Sequence, residues 1–486
     1  MLRFLKLVTD CPARTEPSEP RMPRPHSMRR AAWQAVRGFH DRGWRVNHSL
    51  DKIAEAAVLE PRDRAAAASL ASICVRRRAS LDAVLTAYVD RPRGEMENDL
   101  WMLAQLGAAQ LFFRDDIPDH AAIHATSEVA KEIGADRWVG FLNGTLRRLA
   151  GAVERVGQPS DGEPAATDGD SERIDPATRV IATDALDGWL RFDRVIANEK
   201  APGKQEAKLY SLPRWLVRRW MDRLPDPAAV MRASNVDAGM WLRCATAEDR
   251  DPVLAGLTAA GHQAEAGELP ESIYLPRSIP LMSFTPFVTG RCSVQDLTAM
   301  RAVDLLDPRP GESVLDLCAA PGGKTTMIVQ RMQNRGSVLA ADSDQKRLPR
   351  IKENMKRIDA RICEIRHVTR EGEGVPDDGS RDAAIVDVPC SNTGVLSKRP
   401  EARWRVDTRD LEQLPPIQSA LLARAAAAVK SGGRVLYSTC SIEPDENEQV
   451  VAAFLKQSPG WTLAEEQLTL PDGRVDGGYR ALLRRG

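Results

Sequence analysis

The chain has 486 residues with 68 basic and 68 acidic side chains and 43% apolar residues, which is too long for one core, so about three domains are expected. No apolar run approaches the roughly 20 residues of a membrane helix, and Phe4–Val8, broken by Lys6, has no cleavage signature after it, so neither a membrane span nor a signal peptide is expected. The eight cysteines are scattered without metal-site spacing, which excludes a disulfide scaffold or zinc module and suits a reducing cytoplasm.

A net charge of zero speaks against a uniformly basic nucleic-acid surface. The charge is unevenly spread, however. Residues 154–178 hold seven acids against two arginines, so the remainder of the chain carries +5, which permits a local basic groove.

Residues 1–27, rich in Pro, Arg, Ser and Glu, are expected to be a disordered tail. From 28 to 152 apolar residues recur at three and four, in Ala31–Val36, Leu50–Val58, Ala65–Val75, Leu81–Val89, Leu100–Phe113, Ala121–Ile133 and Trp138–Leu149, predicting an all-α domain. Three of its segments, DRAAAASLASICVRRRASLDAVL, LGAAQLFF with IPDHAAIHATSEVAK, and FLNGTLRRL, resemble the NusB-type RNA-binding fold. Arg76, Arg77 and Arg78 within the first also fit a plain solvated helix face. Residues 153–180 form an acidic linker without a core pattern. Residues 181–294 suggest a small α+β, RNA-binding or linking subdomain, with a helix after Pro213, a strand at Met240–Thr246 and a helix at Pro252–Ala260.

From 295 to 486 strands and helices alternate regularly. Strands are expected at Ser313–Cys318, Ser337–Ala341, Arg361–Arg366, Asp382–Val388 and Gly433–Thr439, and further ones near Trp461–Glu465 and Tyr479–Leu483. Intervening helices at Thr325–Met332, Gln345–Ile358 and Leu411–Val429 make this a Rossmann-like α/β domain with a parallel sheet covered on both faces.

The stretch VLDLCAAPGGKTT, Val314–Thr326, reads as strand, glycine turn and helix, where a ligand can meet bare backbone at a helix N-terminus. A phosphate-binding P-loop would need glycine at 318, where Cys318 stands. A nucleoside-type ligand fits better. Asp342 ends the second strand at the spacing of a ribose-binding acid, and a cationic sulfonium tolerates Asp316, Asp342 and Asp387 around it. S-adenosylmethionine is therefore the expected cofactor. Cys390 and Cys440 end the fourth and fifth strands, which are neighbours about 4.8 Å apart in the usual order. A thiolate adding to carbon 6 of cytosine would make carbon 5 nucleophilic enough to take a methyl group. Lys324 would help that thiol ionise, and Asp387 could hold the ring nitrogen and amino edge. Spacing leaves open which thiol attacks.

The segments LDLCAAPGGKTT, DVPCSNTGVLSKRPEARWR and YSTCSIEPDENEQVV resemble the RNA cytosine-C5 methyltransferases, and the leading helical domain narrows this to the RsmB (Fmu) type acting on 16S ribosomal RNA. The resemblance implies Cys440 as nucleophile, Cys390 as the thiol assisting product release, and Asp387 and Lys324 beside them. It implies a cofactor seat made by Cys318, Ala319, Ala320, Pro321, Gly322, Gly323 and Lys324 with Asp342 and Asp387. Arg399, Arg403 and Arg405, with Trp404 among them, are expected to grip RNA phosphates and a splayed base. The expected partner is ribosomal RNA, met by a cytoplasmic monomer. The family's Gly-Asp turn after the third strand is missing; Val368 or Thr369 stands there, so either Glu371 substitutes or the cofactor is held more weakly. Rival readings are the same chemistry on transfer RNA and a non-catalytic RNA-binding adaptor.

Overall fold

The computed structural model describes residues 27–57, 59–156 and 179–486. The expected tail before Ser27 and the linker between 157 and 178 lie outside the described residues. The chain divides into two compact units, residues 1–74 with 91–150, and residues 75–90 with 151–486.

The first unit is helical. Its centre is Asn98–Phe113, whose residues from Leu100 to Phe113 are all buried. A helix apolar around its whole circumference has to sit inside others, here Met28–Arg42, Asp119–Glu132 and Val139–Ala152. Gly107 allows the closest of these approaches, because a Cβ there would meet Leu146 Cδ1 at 2.5 Å.

The helix Arg78–Tyr88 groups with the second unit, and its hydrogen bonds explain why. Arg77 donates to the carbonyls of Ala182, Thr183 and Asn235, and Ser80 Oγ donates to Lys208 O at 2.6 Å. Arg77 is buried, so the reading of this basic run as a solvated face fails there.

The second unit holds three sheets. Val153–Val156, the start of the expected linker, pairs antiparallel with Trp189–Phe192, which also pairs with Val180–Ala182. An antiparallel four-stranded sheet follows, in the order Glu265–Ala266, Ser272–Leu275, Met240–Cys244, Cys292–Val294. The helix beside it starts at Ala247, earlier than Pro252, because Thr246 caps it by accepting from Asp249 N–H, so Pro252 lies inside the helix and not at its start.

The third sheet is the large one. Its strands, in chain order, are β1 (Ser313–Leu317), β2 (Ser337–Asp342), β3 (Cys363–His367), β4 (Arg381–Asp387), β5 (Val429–Thr439), β6 (Trp461–Thr469) and β7 (Gly478–Arg485). They lie in the order β3-β2-β1-β4-β5-β7-β6. The first five run parallel, while β7 is antiparallel to both β5 and β6. Residues alternate between two cores. Val314, Val338, Ala340, Ala383 and Ile385 face one side, and Leu315, Leu317, Leu339, Ala384 and Val386 face the other. Helices α1 (Gly323–Arg331) and α2 (Leu348–Arg357) cover the first face, and α3 (Asp410–Ala428) and α4 (Glu448–Gln457) the second.

Arg403, expected at an RNA surface, is instead 1% exposed. Its guanidinium donates to the carbonyls of Arg76, Ser211, Ser234 and Leu396 and to Asn235 Oδ1, at 2.7 to 3.1 Å. Burial without a carboxylate partner holds its pKa well below the ordinary arginine value. The fork of fixed donors satisfies peptide oxygens that would otherwise be stranded in the interior. Arg399 and Arg405 are exposed. Arg403→Ala should therefore destabilise the second unit by about 3 kcal/mol or more, and Arg405→Ala by under about 0.5 kcal/mol. Differential scanning calorimetry of both variants checks the contrast.

Candidate active site

The carboxyl ends of β1, β2, β4 and β5 converge on one crevice, as the register of neighbouring parallel strands requires. After β1 the chain bends through Cys318, which adopts φ 68°, and Gly322, with φ 101°, before α1 begins. Thus the position where a P-loop has glycine is left-handed even though it carries a side chain. Hydrogen bonds shape the bend from below: Ala319 N–H donates to Ala341 O at 3.0 Å and Gly322 N–H to Ala319 O at 2.7 Å. Two residues that sequence reasoning did not single out, one just before α2 and one within it, pin its outer carbonyls. Arg347, just before α2, donates to Ala320 O, and Asn354 Nδ2 donates to Pro321 O at 3.0 Å.

The expected acids are all here. Asp342 accepts Ala320 N–H on one oxygen and Asp344 N–H on the other, both at 2.8 Å. It therefore shapes the bend directly, and two of its four lone-pair positions remain for a ligand. Asp316 is 1% exposed. Its Oδ2 accepts from Thr325 Oγ1 at 2.6 Å, while Oδ1 is buried with no partner. Burial pushes its pKa up to about 7, opposed by the Thr325 hydrogen bond and Lys324 and reinforced by the charges of Asp387 and Asp342. Burial, then the same three carboxylates, also push the Cys318 thiol up.

Lys324 joins the bend to the cysteine strands. Its Nζ lies 2.7 Å from Asp387 Oδ2, with the two side chains 15% and 36% exposed. Burial alone would lower its pKa; Asp387, then Asp316 and Cys440, outweigh that and leave it raised. Ser438 Oγ holds the other Asp387 oxygen at 2.8 Å. β4 pairs with β5 so that Asp387 lies opposite Ser438, and the strand ends bring Cys390 Sγ and Cys440 Sγ within 3.0 Å. Cys440 Sγ also donates to Asn392 Oδ1 at 3.3 Å, which Arg399 Nη1 reaches at 2.5 Å. Of the expected arginines, Arg399 thus approaches the thiols, Arg405 stands exposed further along, and Arg403 is absent from the crevice.

The third strand's end is different. Thr369 closes its own loop, donating its N–H to Glu373 O and accepting Glu373 N–H on Oγ1, both at 3.0 Å. Glu371 is exposed and Val368 buried.

The crevice fits a cationic nucleoside ligand. Gly322 offers no capping side chain to α1, and a Cβ on Gly323 would meet nothing within 4 Å, so the first N–H groups of α1 lie open. The unpartnered Asp316 Oδ1 awaits a donor, and three carboxylates disfavour a bound phosphate. Among the described residues no His, Cys, Asp and Glu cluster could hold a metal ion, and no helix is long and apolar enough to cross a membrane.

This strand order with an acid-lined bend after β1 defines a doubly wound α/β domain with a ligand crevice at the carboxyl ends of its strands. Residues 303–480 match the family described as 16S rRNA methyltransferase RsmB/F, residues 26–151 the NusB family, and residues 212–282 a ferredoxin-like domain of RsmF/B-like methyltransferases. The chain is 30% identical over 457 residues to ribosomal RNA small subunit methyltransferase B of Yersinia pseudotuberculosis, covering 92% of this chain and 94% of that protein, and matches the Yersinia pestis protein equally well. It belongs to the 16S rRNA methyltransferase RsmB/F family. Its fold is shared with a solved methyltransferase homologue from Pyrococcus horikoshii, at TM-score 0.52 and 24% identity over 59% of this chain and all of that one. The crystal structure of a protein designated PH0851 matches at TM-score 0.71 and 22% identity over 96% of this chain and 100% of that one.

The raised carboxyl of Asp316 predicts a pH dependence. Its folded value of about 7 exceeds the ordinary 3.8, so the native state binds a proton that the unfolded state has lost between those values. The group destabilises the fold fully above about pH 7, and relief grows as pH falls toward about 4. Without ligand, Asp316→Asn should melt higher than the parent protein at about pH 8, with the difference gone near pH 4. Thermal melts across that range check it.

Proposed function

We propose that this protein transfers a methyl group from S-adenosylmethionine to carbon 5 of a cytosine in 16S ribosomal RNA, through a transient bond between Cys440 and carbon 6. The observation that carries the reading is the pair of thiols 3.0 Å apart at the ends of β4 and β5, next to the Lys324–Asp387 ion pair.

Asp316, Asp342 and the backbone from Cys318 to Lys324 would hold the cofactor. When bound, it supplies a sulfonium methyl group that an activated carbon 5 can take. Lys324 would be the cation standing by the attacking sulfur. Addition forms the sulfur–carbon 6 bond and moves the ring's electron pair toward carbon 5 and the ring nitrogen. Asp387, held by Lys324 and Ser438, would bind the nitrogen and amino edge of the base. Once carbon 5 carries the methyl group, a general base takes its proton, and the freed electron pair restores the ring double bond as Cys440 leaves as a thiolate. Cys390 is kept protonated by its hydrogen bond to Cys440 first and by burial second. A neutral thiol beside the leaving sulfur suits proton exchange during release. Arg399 and Arg405 supply cations for the RNA backbone where the loop after β4 is exposed.

Labelled S-adenosylmethionine incubated with unmethylated 16S RNA should give 5-methylcytosine, and transfer RNA should give none. Cys440→Ala should abolish transfer, and Cys390→Ala should accumulate a covalent RNA adduct visible as a denaturation-resistant band. The reverse pattern would exchange the two thiol roles; RNA binding without transfer to either substrate would leave an adaptor.

A further inference from the structure

Two thiols this close cannot both ionise, so something must decide which one does. The surrounding charges are distributed unequally. Lys324 acts on Cys440. On the other side lies Glu446, 0% exposed, on the loop between β5 and α4. Its Oε1 accepts Ser391 N–H at 2.8 Å and Gln418 Nε2 at 3.0 Å. Its Oε2 accepts Ser441 Oγ at 2.5 Å and also Ser391 Oγ. Ser391 follows Cys390 and Ser441 follows Cys440, and their hydroxyls lie 3.1 Å apart. One carboxylate therefore bridges the residues that follow both cysteines, and Gln418 of α3 braces it from behind.

We propose that Glu446 is the positioning residue of the thiol pair: it clamps the two cysteine-bearing strand ends together and sets its negative charge against the backbone that follows Cys390, disfavouring a second anion at that thiol. The identity of the nucleophile rests on the function proposed above; the clamp and the charge asymmetry do not. All four hydrogen bonds run toward the Glu446 oxygens and favour the carboxylate, against the burial that raises its pKa. Like charge disfavours a second anion nearby. Cys390 is held well above the ordinary thiol value by its hydrogen bond to Cys440, by burial, and by the charges of Cys440 and then Glu446. The other ionisable groups around the pair are Asp387 at the end of β4, Tyr437 of β5, and Arg399 acting through Asn392.

The test is thiol alkylation by iodoacetamide, kept below one modification per ten molecules and mapped to each cysteine by peptide mass spectrometry across about pH 6 to 10. In the parent protein Cys440 should react first, and Cys390 only at higher pH. In Glu446→Gln the Cys390 midpoint should fall and the gap narrow, while kcat for methyl transfer drops at least tenfold and KM for S-adenosylmethionine stays within about twofold. Glu446→Asp, which keeps the charge but shortens the reach, should lower kcat while Cys390 still reacts last. An unchanged Cys390 profile in a folded Glu446→Gln protein overturns the proposal. If that variant does not fold, Ser441→Ala decides: it removes the hydrogen bond by which Glu446 reaches the residue after Cys440 and keeps the charge, so kcat must fall while the order of alkylation holds, and unchanged kcat overturns the proposal. The alkylation arm needs no RNA, so a parent protein that orders its thiols but methylates no cytosine would count against the proposed reaction and not against Glu446.

Discussion

The parallel pairing of β4 with β5, Asp387 opposite Ser438, is the constraint from which the crevice follows. Parallel strands in register deliver their carboxyl ends to the same edge, so whatever follows Asp387 and Thr439 must share one space. Here Cys390, three residues after Asp387, is thereby brought to Cys440, which follows Thr439 directly. The Lys324–Asp387 pair then ties that edge to the bend after β1. A charge pair with so little solvent around it is a poor source of net stability. Its value lies in fixing where α1, β4 and the thiols stand relative to one another.

Buried arginines do comparable work away from the crevice. Arg77 and Arg403 meet around Asn235: Arg77 takes its backbone oxygen and Arg403 its side-chain oxygen. Asn235 Nδ2 in turn donates to Tyr210 O at 2.6 Å. Helix Arg78–Tyr88, the segment around Ser211 and the loop after β4 are thereby fastened at one point. That loop begins at Cys390 and ends at Arg405, so the anchor that removes Arg403 from the surface also fixes the backbone carrying Asn392 and Arg399. Trp404 adds a second tether, its Nε1 donating to Val75 O at 2.7 Å, with Arg78 stacked over its ring.

Much of this was legible in the sequence because it is local. The short apolar runs of β1, β2 and β4, the glycine bend, and the acids and cysteines at strand ends are each legible within a few residues. The helical period of the first unit was equally plain. What escaped reading depends on distant partners. Arg399, Arg403 and Arg405 look alike in RPEARWR, yet only the middle one faces Arg76, Ser211 and Ser234. Helix Arg78–Tyr88 has the same periodicity as its neighbours, and only its hydrogen bonds to residues beyond 180 assign it to the second unit. The antiparallel placement of β7 between β5 and β6 leaves no local mark either, since a short connection fixes direction but not order.

Glu443, Asp445 and Glu446 in SIEPDENEQ pose the same difficulty, and their separation shows how one loop serves two ends. Glu443 turns away from the crevice: Arg219 Nε reaches it at 2.5 Å, Arg223 Nη2 at 3.3 Å and Trp220 Nε1 at 2.9 Å. Asp445 pairs with Arg219 as well. These cations come from the helix Arg214–Arg223, so its side of the loop is neutralised. Glu446 has only the neutral donors Ser391, Ser441 and Gln418. A carboxylate held by neutral groups keeps its field, whereas one capped by guanidinium loses most of it at a distance. The loop therefore presents charge where the thiols are and cancels it where the neighbouring helix docks. The docking in turn holds the loop still: with Glu443 fixed to three side chains of one helix, the Glu446 carboxylate three residues on has little freedom to drift from Ser391 and Ser441.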